Sequence, residues 1–157
     1  MARVTRAQIC TAIADTLRAT AGVVRVQDGG TRPTMGSEDR ALTESMPDMP
    51  GIQVYWQSSE QDANGVDRVT FGAGVRRSKL TYWADVFVRV RSQLGEDVPA
   101  VLEITEAVEA VLEAQRSPPF FALEGVKALH WGSERVAFES GGQGIVGVRF
   151  TIEVWVF

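Results

Sequence analysis

Residues 145–157 read IVGVRFTIEVWVF, from Ile145 to Phe157. They alternate. Val146, Val148, Phe150, Ile152, Val154 and Val156 point one way, and Ile145, Gly147, Arg149, Thr151, Glu153, Trp155 and Phe157 point the other. A period of two sustained this long predicts a β-strand with one face in the core. The apolar set fixes its register, because a slip of one residue would move all six core residues into water. The opposite face is not simply polar, since it carries Ile145, Trp155 and Phe157. The fold therefore turns on what covers each side of this strand.

A second long strand matches it. In KLTYWADVFVRVR, residues 79–91, Leu80, Tyr82, Ala84, Val86, Val88 and Val90 share one face. Lys79, Thr81, Trp83, Asp85, Phe87, Arg89 and Arg91 share the other, again mixing charge with aromatic rings. Two amphipathic helices accompany these strands. The first is expected over 6–19, opened by a capping box of Thr5 and Gln8 and striped by Ile9, Ile13 and Leu17. Gly22 is placed to close it. The second lies in GEDVPAVLEITEAVEAVLEAQRS, capped by Asp97 with Pro99 in its first turn. Its inner stripe is Val101, Ile104, Val108, Val111 and Leu112, and Glu103, Glu106, Glu109 and Glu113 form a solvated outer face.

Shorter strands are expected at 23–28, at 51–58 with Ile52, Val54 and Trp56 on one side, at 126–131 and at 135–138. Two stretches, 29–50 and 58–78, are rich in Gly, Pro, Ser and acidic residues and read as long loops or arms; Asn64-Gly65 could instead turn a hairpin in the second. The length of 157 residues suits a single domain spanning 1–157. The long strands are not separated throughout by crossover helices. The fold class is thus α+β, a mainly antiparallel sheet with two helices packed on one face and long loop arms. Four strands about 4.8 Å apart make a sheet that two helices, each about 10 Å across, cover on one side only. Trp83, Phe87, Ile145, Trp155 and Phe157 are left on the reverse. A folded-back loop or simple scatter would account for them, but aromatic residues beside arginine are also the composition of a subunit interface, and that is the expectation adopted here.

The residues offer little chemistry. His130 is the only histidine and has no Gly-x-Ser-x-Gly elbow to serve, so it reads as structural. GAGV and GGQG lack the lysine and helix of a phosphate loop. The acidic residues of 37–49 match no established calcium loop and leave only a weak divalent-cation reading. Cys10, the single cysteine, excludes an internal disulfide and reads as a buried small hydrophobe. The net charge of −4 argues against chain-wide attraction to nucleic acid, although Arg76, Arg77 and Lys79 form one basic cluster that could face DNA in a channel. No secretory signal and no run of about 20 apolar residues is visible, so a cytoplasmic, non-membrane protein is expected.

The order of these segments carries a resemblance: TRAQICTAIADTLRAT, then VVRV, MPGIQVYW, KLTYWADVFVRV, VPAVLEITEAVEAVLEA and GIVGVRFTIEVWVF. This layout resembles the tail terminator and tail completion proteins of long-tailed, lambda-like phages over nearly the whole chain, by order and pattern rather than by a diagnostic motif. The resemblance implies a structural protein without enzymatic activity or cofactor. It implies a homo-oligomer, a hexameric ring at the head-proximal end of the tail tube, which stops tube growth and offers a head-joining surface. Its partners would be the tail tube protein and the head–tail connector, with DNA only passing through the lumen. Its location would be the virion tail, and the host cytoplasm during assembly. A head–tail adaptor or minor tail protein is the neighbouring alternative, and a small hydrolase or ligand-binding domain using His130 the distant one.

Overall fold

A computed structural model describes residues 4–28, 49–61, 78–115, 117–140 and 143–156. The elements in chain order are α1 (Arg6–Leu17), β1 (Arg25–Asp28), β2 (Gly51–Gln61), β3 (Ser78–Val90), α2 (Leu94–Glu113), a 3-10 turn (Phe120–Ala122), β4 (Val126–Ser140) and β5 (Gln143–Val156). The strands form one sheet in the order β1-β2-β3-β5-β4. Among the described residues only the β1–β2 pair is parallel; the others are antiparallel. The fold is the expected α+β arrangement, with the two longest apolar-faced strands, β3 and β5, side by side at its centre.

The helices lie together on one face. Ile9, Ile13 and Leu17 of α1, and Val101, Ile104, Val108 and Leu112 of α2, share one core with Leu80, Tyr82, Ala84, Val86 and Val88 of β3 and Val148, Phe150, Ile152, Val154 and Val156 of β5, whereas Val90, expected on this face, stands opposite Ile145 on the reverse side. Phe150, Ile152, Val154 and Tyr82 are fully enclosed there. Each large apolar side chain so buried stabilises by about 1.5–3 kcal/mol before ordering entropy is counted. Cys10 is buried in this layer as expected, its thiol 3.5 Å from the Val54 carbonyl.

The α1 capping box forms as the sequence predicts: the Gln8 amide donates to Thr5 Oγ1 at 3.2 Å and the Thr5 amide to Gln8 Oε1 at 2.8 Å. The helix ends at Leu17, two residues before the expected end. The start of α2 differs more. It begins at Leu94 with Gln93 at its cap, so Asp97 is not the cap but lies in the helix. Its carboxylate reaches back to the Ser92 amide at 3.0 Å and accepts the Ser92 hydroxyl at 3.1 Å. Asp97 thus secures the β3–α2 turn from inside the helix, a role the local sequence does not separate from capping.

Three strand readings are corrected. β2 runs on to Gln61 and pairs with β3 to its first residue, Ser78, so 58–61 is strand and not loop. The two short strands expected at 126–131 and 135–138 are one strand of 15 residues, because β5 offers a full-length ladder to pair with. A register shift between Phe87 and Arg89 sets Arg89 opposite Val146 and Val90 opposite Ile145. This bulge turns Arg89 to the helix side, where it meets Glu96 at 3.3 Å and Asp97 at 3.4 Å. Arg89 therefore leaves the reverse face, where the alternation of the strand had placed it. The arms expected within 29–50 and 58–78 lie, apart from the residues just placed, outside the described residues.

Candidate subunit interface

The reverse face of the sheet is organised in rows. One row crosses four strands through Gln53, Asp85, Arg149 and Glu134, which are successive cross-strand partners. Asp85 has no exposed surface. Its charge is met by Arg149, whose Nε donates to Oδ1 at 2.8 Å and whose second nitrogen lies 3.4 Å from Oδ2. The Tyr55 hydroxyl donates to Oδ2 at 2.7 Å. The hydrogen bond to Asp85 chiefly, then nearby negative charge, raises the pKa of Arg149 against the opposing effect of burial, so the guanidinium stays charged.

This ion pair holds a tryptophan. The Arg149 guanidinium carbon lies 3.8 Å from the Trp83 ring centroid, and Tyr55 meets the same ring edge-on at 5.9 Å. Trp83 is half-buried, fixed by these two contacts. Trp155 is also half-buried. It lies opposite Lys79 on β3 and Ala128 on β4.

Two of the expected interface residues are covered by the chain itself. Phe87 is 1% exposed and Ile145 2% exposed. They form a small second core with Phe138, packed by Met49 and Val136, and the Phe87 and Phe138 rings meet at 4.6 Å. Gly147 makes this possible. It lies between Phe87 and Val136 in the sheet, and a Cβ there would come 2.5 Å from the Phe138 ring and also strike the Val86 carbonyl. Phe87 and Ile145 are therefore not available to a neighbour, contrary to the expectation for the whole face. Phe157 lies outside the described residues.

Of the basic cluster, Arg76 and Arg77 also lie outside the described residues. Lys79 is placed on β3 with its ammonium 3.3 Å from Glu60 and 3.8 Å from Glu153. Its charge is matched within the sheet. His130 stands on β4 with 70% of its side chain exposed, Nδ1 3.7 Å from Glu153. Among the described residues no group of three or more His, Cys, Asp or Glu is placed to hold a metal ion, and no helix is long and apolar enough to cross a membrane. The acidic stretch weighed for a cation, 37–49, is outside the described residues but for Met49.

The sequence reading placed Asp85 and Arg149 on the correct face but did not join them. Opposite charges on like-facing positions of two long strands were the available signal. Phe138 as the cover of Phe87 had no such signal, since it depends on β4 and β5 pairing over their full length. The chain matches no known protein-family model and no curated protein.

Proposed function

We propose that this chain is a structural assembly subunit, a phage tail terminator that forms a ring at the head-proximal end of the tail tube. The observation that supports the reading is a sheet whose two helices lie on one face, with Trp83 and Trp155 half-exposed on the other. The interface it requires is smaller than the sequence implies and centres on these two tryptophans. Trp83 suits the role, because its rigid seat on Arg149 and Tyr55 lowers the ordering entropy lost on association.

In this reading the action is geometric and not enzymatic. One ring face matches the last ring of the tail tube and the other does not, so polymerisation ends there. Such rings use heterologous contacts that close by rotation. Light scattering over a range of concentrations, with electron microscopy of mixtures with tail tube protein, tests the proposal. Rings, and tubes capped at one end, are the expected result. A chain that stays monomeric and leaves tube length unchanged would overturn it.

A further inference from the structure

Small residues leave a hollow on the helix side of the sheet, beneath the first turns of α2. Val90 and Ile145 face the reverse side, so the alternation returns Arg91 and Gly144 to the helix side. The Arg91 amide donates to the Gly144 carbonyl at 2.8 Å and carries the β3–β5 pairing one step past Val90. In the next strand Ala137 stands opposite Val146. Gly144 and Ala137 fill little space, and a cavity of about 340 Å³ remains between them and Val98 and Val101 of α2. At about 30 Å³ per heavy atom, the share of one water in the liquid, that is room for roughly eleven heavy atoms. The size is that of a small-molecule site.

The wall is mainly apolar but carries surplus positive charge. Arg91 and Arg135 both contribute to it, and both are exposed. Among the described residues neither guanidinium has an ion-pair partner. The stem of Arg91 packs over Gly144, its Cβ and Cδ each 3.7 Å from where that glycine would carry a Cβ. The carboxylate in the wall, Asp97, is already met by Arg89 at 3.4 Å and by the Ser92 amide at 3.0 Å. Glu139 lies level with Gly144 but is exposed and outside the wall. An apolar floor thus stands beside two cations whose charge the fold leaves unmatched.

We propose that this cavity binds a small organic anion. Its apolar tail lies between α2 and the paired ends of β4 and β5, and its anionic head is held by Arg91 and Arg135. Guanidinium groups suit such a head, because their planar forks donate paired, charge-assisted hydrogen bonds. The site is on the opposite side of the sheet from Trp83 and Trp155, so it goes beyond the assembly reading and does not depend on it.

Equilibrium dialysis with radiolabelled octanoate, a carboxylate of about ten heavy atoms, tests the site. Tail and head contribute separately, one by leaving water and the other by charge-assisted hydrogen bonds. Saturable binding at one site per chain is expected, with 1-octanol and acetate each competing about tenfold more weakly or worse. Replacing both cations, Arg91→Gln with Arg135→Gln, is expected to weaken octanoate binding about tenfold or more. Ala137→Phe is expected to abolish it by filling the cavity. All three positions are exposed, so these variants keep the fold, which circular dichroism and thermal unfolding check. Octanol bound as tightly as octanoate would overturn the anionic ligand. Octanoate binding unchanged by Ala137→Phe would place it elsewhere and overturn the site. No saturable binding up to about 10 mM would overturn the proposal outright.

Discussion

Arg149 is the residue on which the reverse face depends. It neutralises a carboxylate with no exposed surface and supports the inner side of Trp83. Removing one member of a buried pair strands the other, which costs more than the pair contributes. Arg149→Leu is therefore expected to lower stability by about 3 kcal/mol in urea unfolding. Adding Asp85→Asn should cost clearly less than the sum of the two single changes, by about 1–3 kcal/mol. Strict additivity would show that the two side chains act independently. Gly147 is the second sensitive position. Its missing Cβ is the space that Phe138 fills over Phe87. Gly147→Ala is expected to destabilise by about 1–3 kcal/mol through overpacking. A companion Phe138→Leu should recover little of the loss, because the added Cβ comes closest to the Val86 carbonyl; full recovery would place the strain at the Phe138 ring instead.

The elements are joined by a few polar contacts within an otherwise apolar layer. Tyr82 of β3 is fully enclosed, and its hydroxyl donates to the Arg6 carbonyl at the start of α1 at 2.8 Å. Burial first, and the neighbouring Cys10 second, push its pKa well above the usual phenol value of 10.0. The neutral phenol is the form the fold holds. Once the pH passes the unfolded-state value, about 10, the unfolded chain releases this proton while the folded chain keeps it. Stability then falls as pH rises, and below that value the contribution is intact. Tyr82→Phe is expected to cost about 1 kcal/mol near neutrality, for the lost hydrogen bond. It should also show a shallower alkaline decline than the parent chain in unfolding measured above pH 10. Parallel alkaline profiles would rule out Tyr82 as the source. At this scale much was legible in the sequence. The capping box of α1, the stripes of both helices and the inner faces of β3 and β5 follow from local periodicity, which reports burial directly. The bulge at Val88 and the single long β4 did not, because register shifts and strand length are set by the partner strand.

On the scale of the whole molecule, the described residues form two layers, a sheet and a pair of helices. The helices enclose one face of the sheet, while among the described residues Trp83 and Trp155 stand half-buried on the other. If these surfaces meet a neighbour, truncating the tryptophans should act on assembly more than on folding. Trp83→Ala and Trp155→Ala are each expected to raise the concentration for half-assembly tenfold or more, about 1.4 kcal/mol or more. The variants should still unfold cooperatively as monomers. Unchanged assembly in both would remove the reverse face from the interface.

By itself the sequence determined the two helices, the inner faces of the long strands and the α+β class. These depend on the spacing of apolar residues along a stretch of chain, and water enforces that spacing locally. The tertiary structure alone decided which reverse-face residues the chain itself encloses. Phe87 and Ile145 read like Trp83 and Trp155 in the alternation of their strands. They are enclosed because β4 pairs with β5 to its end and brings Phe138 across Gly147. Burial on that face is a property of neighbours far apart in the chain, and a one-dimensional pattern does not contain it.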